Sequence, residues 1–96
     1  MTWIRTVPPS QADGRLQEIY RKVSALCPPE YLDPVPALTR PDGTADSIVA
    51  AHSLLPEVME PMFTAFGRLV GSDLPLSRRQ QEMITTLVSS LNRCVY

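Results

Sequence analysis

Five of the chain's ten prolines, Pro28, Pro29, Pro34, Pro36 and Pro41, fall between residues 27 and 43. A proline ring fixes φ and removes a backbone donor, so no regular helix or central strand can run through such a stretch. Asp42-Gly43 marks a turn at its end, and residues 27–43 read as a stiff, irregular connection. A linker is the expected role, in preference to a proline-motif ligand for a partner domain. Pro8 and Pro9 act in the same way near the start. Residues 1–12, with Trp3, Ile4 and Val7, are expected to form an extended arm, not a helix, that lays apolar side chains on other elements.

Outside the proline-rich stretches the apolar residues fall at helical spacing. Leu16, Ile19, Tyr20, Val23 and Leu26 form a stripe over about 13–26, with a capping signal at Ser10/Asp13 and a stop at Pro28. A short helix is expected over about 45–53, carrying Ile48, Val49 and His52. A lone histidine in that setting reads as a hydrogen-bonded packing residue. A third helix over 56–70 has Val58, Met59, Met62, Phe63, Phe66, Leu69 and Val70 in register, with Pro56 in its first turn and Gly71 at its end. Pro61 inside it predicts a kink or a delayed start. The methionines and phenylalanines read as packing rather than as the lining of a ligand pocket.

The strongest helix covers 77–92. Ser77-Arg78-Arg79-Gln80 matches the Ser-x-x-Gln capping box, and Met83, Ile84, Leu87, Val88 and Leu91 share one face. Four helices and no strand make the fold class all-α, a single domain over residues 1–96. A chain this short buries only about 60–70% of the surface it exposes unfolded, so its stability margin is thin. More helical stripe than it can cover internally predicts at least a homodimer.

Composition excludes several functions. The net charge is −1, and the nine basic residues are scattered without the basic stripe that nucleic acid requires. No nucleic-acid partner is expected. The start lacks a signal peptide's apolar run, and nothing approaches the roughly 20 apolar residues of a membrane span, so a cytoplasmic location is the default expectation. In a reducing cytoplasm Cys27 and Cys94 are not expected to pair as a structural disulfide. Cys27, outside any motif, reads as structural. No cofactor or metal is expected.

The stretch from Leu76 to Tyr96 carries the most specific signal. Ser77, Glu82-Met83-Ile84, Ser89, Asn92, Cys94 and Tyr96 match a pattern of the type Ser-x-x-x-x-Glu-Met-Ile followed by Ser-x-x-Asn-x-Cys-x-Tyr-Cys-x-x-x-His. In this it resembles the alkylhydroperoxidase D / carboxymuconolactone decarboxylase superfamily, and most closely its peroxidase-related branch. His52-Ser53-Leu54 with Pro56-Glu57, and residues 1–7 with 12–20, are also similar to that branch, whereas 27–43 is not diagnostic. The resemblance implies the N-terminal portion of an alkylhydroperoxidase D-like helical fold. It implies a thiol-dependent peroxidase that reduces hydroperoxide with a Cys-x-x-Cys pair, is recycled by a dithiol reductant and acts as a homo-oligomer. Carried over residue by residue, it gives Glu82 as the acid/base group and Cys94 as the first cysteine. The second cysteine would be residue 97 and the relay histidine residue 101. The sequence stops at Tyr96, so the chain is expected to be a partial domain, inactive alone. Two other readings remain: a lactone decarboxylase relative, against which Cys94 in its context argues, and a non-catalytic helical assembly module.

The motif also makes a geometric demand. Along one straight helix Glu82 and Cys94 would stand about 18 Å apart, too far for proton transfer. The helix is therefore expected to end near Asn92, with a turn that folds Cys94 back toward Glu82 and a second helix that places the thiol at a positive helix start.

Overall fold

The computed structural model describes residues 4–29, 33, 35–36 and 48–94. Among them the fold is all-α, with a 3-10 turn at Pro9–Gln11 and four α-helices: α1 (Gly14–Leu26), α2 (Ile48–Ala51), α3 (Pro56–Leu69) and α4 (Arg78–Leu91). No helix among the described residues is long and apolar enough to cross a membrane. Most of the proline-rich connection, the start of the expected 45–53 helix, Trp3 and Tyr96 lie outside the described residues.

Local chemistry accounts for the helix boundaries. Asp13 caps α1 by accepting the Leu16 N–H at 2.8 Å. α3 begins at Pro56 and runs through Pro61 to Leu69, so its start is not delayed as the internal proline suggested. Proline suits the first turn, where an N–H has no partner in any case. The carbonyl that Pro61 cannot serve belongs to Glu57, and both residues are exposed, so water can satisfy it. In the arm, prolines did not exclude all helical structure. Pro9 opens one 3-10 turn, closed by the Gln11 N–H to Pro8 carbonyl bond of 2.9 Å.

The core lies between α1 and α3. Leu16, Ile19, Tyr20 and Val23 of α1 meet Met59 and Phe63 of α3, with Ala12 from the arm, and Val7 and Val49 close the edges. Ion pairs run alongside: Arg15 to Glu57 at 2.9 Å and Lys22 to Glu60 at 2.9 Å. Each joins exposed groups and contributes little. Because residue 15 meets 57, 22 meets 60 and the neighbourhood of 26 meets 67, α1 and α3 run in the same direction. Gly67 permits the close approach at the far end, where a Cβ would lie 2.6 Å from the Leu26 Cβ.

The arm is tied to this core by one residue. The Val7 N–H donates to Ser53 Oγ at 2.8 Å, and the Val7 carbonyl accepts from Tyr20 Oη at 2.7 Å. Ser53 is nearly inaccessible and Tyr20 is buried. Burial raises the Tyr20 pKa above its usual value, a shift partly countered by its interaction with Ser53.

Candidate functional site

Both sequence-predicted site residues belong to α4 or to the turn that ends it. The helix starts with a complete capping box: Ser77 Oγ accepts the Gln80 N–H at 3.3 Å, and Gln80 Oε1 accepts the Ser77 N–H at 2.8 Å. One turn on, Gln81 is buried, and its Nε2 donates to the Gly71 carbonyl at 2.9 Å, just beyond α3. That bond orients the helix. Gln81 lies on the same side as Arg78, Glu82, Thr85 and Ser89, which are half-buried. Met83, Ile84, Leu87 and Leu91 face away from that side and are exposed, Leu91 to 75%, and Val88, two turns beyond Gln81, is exposed as well. α4 thus directs its polar face toward its own chain and its apolar face away, and it is not packed along α1 or α3.

Glu82 is engaged locally. Its Oε1 lies 2.7 Å from Arg78 Nη2 one turn earlier, and its side chain remains 43% exposed. The sequence reading missed this partner, although an Arg-x-x-x-Glu spacing on a helix is the signal for such a pair.

Cys94 is exposed and carries a free thiol. The backbone leaves α4 through a tight reversal: Asn92 is the cap, Arg93 adopts a left-handed conformation with φ 51°, and two N–H groups turn back onto the helix. Arg93 donates to the Ser90 carbonyl at 3.0 Å and Cys94 to the Ser89 carbonyl at 2.9 Å. These are the paired bonds of a Schellman stop, with arginine at the position glycine usually fills. The helix therefore ends where the motif demanded.

The turn does not carry the thiol back to the carboxylate. Ser89, on which Cys94 hangs, is seven positions beyond Glu82, and that is about 10 Å of helix axis. Within one chain Glu82 and Cys94 are not brought together. Cys94 also sits at the carbonyl end of α4, not at a helix start; the expected second helix falls beyond the described residues.

The remaining candidates make contacts within the fold. Cys27 caps α1, its Sγ lies 3.6 Å from the Val23 carbonyl, and burial raises its pKa. His52 contacts the Ile48 carbonyl through Nδ1 at 2.7 Å and sets its ring edge-on to Phe63, with centroids 5.3 Å apart. Met59 is fully buried in the core. A recess along α4, bordered by Arg79, Glu82, Met83, Thr86, Leu87 and Ser90, is one flank of a single helix without an opposite wall. Among the described residues no group of histidine, cysteine, aspartate or glutamate has the arrangement to hold a metal.

Compared with known proteins, the chain matches no family model, and no curated protein or solved structure is significantly similar to it.

Proposed function

We propose that Glu82 and Cys94 belong to an alkylhydroperoxidase D-like thiol oxidoreductase, a cytoplasmic homo-oligomer that reduces hydroperoxides. The observation that carries this reading is an exposed free thiol set immediately past a capped helix end, at the position to which Ser77, Glu82, Ser89 and Asn92 lead in the matching pattern.

The chemistry requires two thiols. A peroxidatic thiolate attacks the O–O bond of ROOH, releasing ROH and becoming a sulfenic acid. The second thiolate attacks that sulfur and expels water, leaving a disulfide, which an external dithiol returns to two thiols by exchange. In this scheme Cys94 supplies one sulfur, residue 97 the other, and Glu82 with a histidine at 101 moves the protons. The scheme's second cysteine and histidine fall at positions 97 and 101, outside the ninety-six residues of the sequence. Because Glu82 and Cys94 of one chain stand apart, the relay must be completed by the residues after Cys94 or by a second subunit.

The test is hydroperoxide consumption, with a dithiol donor, by the protein extended through residue 101. Cys94→Ser is expected to abolish recycling turnover, and Glu82→Gln to lower the rate about a hundredfold or more. Turnover unchanged in Cys94→Ser would remove Cys94 from the mechanism. A second reading, a non-catalytic helical assembly module, is favoured by the open apolar face of α4. It predicts self-association without any peroxide chemistry.

A further inference from the structure

α3 and α4 each present an uncovered apolar stripe. On α3, Val58, Met62, Phe66 and Leu69 are 40–67% exposed and flank the side that α1 covers. On α4, Met83, Ile84, Leu87, Val88 and Leu91 are 51–75% exposed. Neither stripe contains a charge. They are similar in length, about 16 Å from Val58 to Leu69 and about 12 Å from Met83 to Leu91. Packed together, they would cover each other. Within one chain they do not meet, because the Gln81 to Gly71 bond turns the polar side of α4 inward.

We propose that the α4 stripe of one chain docks on the α3 stripe of a second copy, and reciprocally, in a two-fold dimer. A two-fold axis pairs both stripes of both chains at once and leaves none open, whereas pairing α4 with α4 would leave two α3 stripes in water. The area is sufficient. At their observed exposures the side chains hold on the order of 500 Å² of apolar surface per chain, so a symmetric pair buries on the order of 1,000 Å², the lower bound for a specific interface. The dimer is independent of the redox reading, since neither stripe includes Glu82 or Cys94.

Sedimentation of the ninety-six-residue chain across a concentration series tests it, with circular dichroism confirming that each variant keeps its helices. The chain is expected to dimerise, and Leu87→Glu on α4 or Phe66→Glu on α3 to weaken the dimer about tenfold or more. Both positions are exposed, so the α1·α3 core should survive either change. Mixing the two variants decides the pairing. A heterodimer with α4 on α3 retains one interface with neither substitution, so association should partly return. A monomer at every concentration, or a dimer in which mixing restores nothing, would overturn the proposal.

Discussion

Glu82 is bound to Arg78: a carboxylate oxygen and a guanidinium nitrogen lie 2.7 Å apart on adjacent turns of α4. Both side chains are more than a third exposed, so solvent screens the pair. Arg78→Ala is expected to change folding stability by less than about 0.5 kcal/mol. Urea denaturation measures this directly. A larger loss would mean that the pair supports the attachment of α4 to the rest of the chain.

The α1·α3 contact depends on a missing side chain. A Cβ on Gly67 would meet the Leu26 Cβ at 2.6 Å. Gly67→Ala gains about 1 kcal/mol of helix propensity but incurs about 1–3 kcal/mol of overpacking, for a net loss on the order of 1 kcal/mol. Leu26→Gly in the same chain removes the Cβ that makes the clash, whereas Leu26→Ala keeps it. A double-mutant cycle is therefore expected to show Gly67→Ala less harmful, or stabilising, in the Leu26→Gly background.

The Tyr20 hydroxyl joins arm to core only while it holds its proton. Tyr20→Phe is expected to lose about 1 kcal/mol, because the Val7 carbonyl loses its donor. The pH dependence has a definite sign. Burial raises the folded-state pKa of Tyr20, so its contribution is fully present below the usual tyrosine value of about 10 and is lost as pH rises through the folded value. Stability of the parent chain should fall above that range more steeply than that of Tyr20→Phe. Parallel profiles would show that Tyr20 does not carry the effect.

The two cysteines should differ in reactivity at neutral pH. Cys94 is exposed, whereas Cys27 is partly covered and its raised pKa leaves little thiolate. Alkylation followed by mass spectrometry should label Cys94 first, with Cys27 catching up only in alkaline solution. Equal rates at neutral pH would contradict the packing around the end of α1.

Much of this architecture is legible in residue order because it is local. The stripe of Leu16, Ile19, Tyr20 and Val23 is the buried face of α1, and Ser77 with Gln80 forms the capping box that its spacing announces. Asn92 marks the end of α4. What spacing cannot show is which neighbour a face meets. The apolar side of α4 is plain in the sequence, yet a single buried amide, Gln81, turns that side outward. The same holds for Val7, Ser53 and Tyr20, linked across 46 and 13 positions. The candidate site is only half legible for this reason: periodicity locates Glu82 and Cys94 along the chain, but their separation depends on a turn whose sense no periodicity encodes.

The account rests on Cys94 as a redox partner, and its oxidation state after exposure to peroxide tests that most directly. In the protein extended through residue 101, treated with a stoichiometric hydroperoxide and then digested and analysed by mass spectrometry, Cys94 is expected in a disulfide with residue 97, while Cys27 stays free. Peroxide consumed with Cys94 still a free thiol would contradict the account.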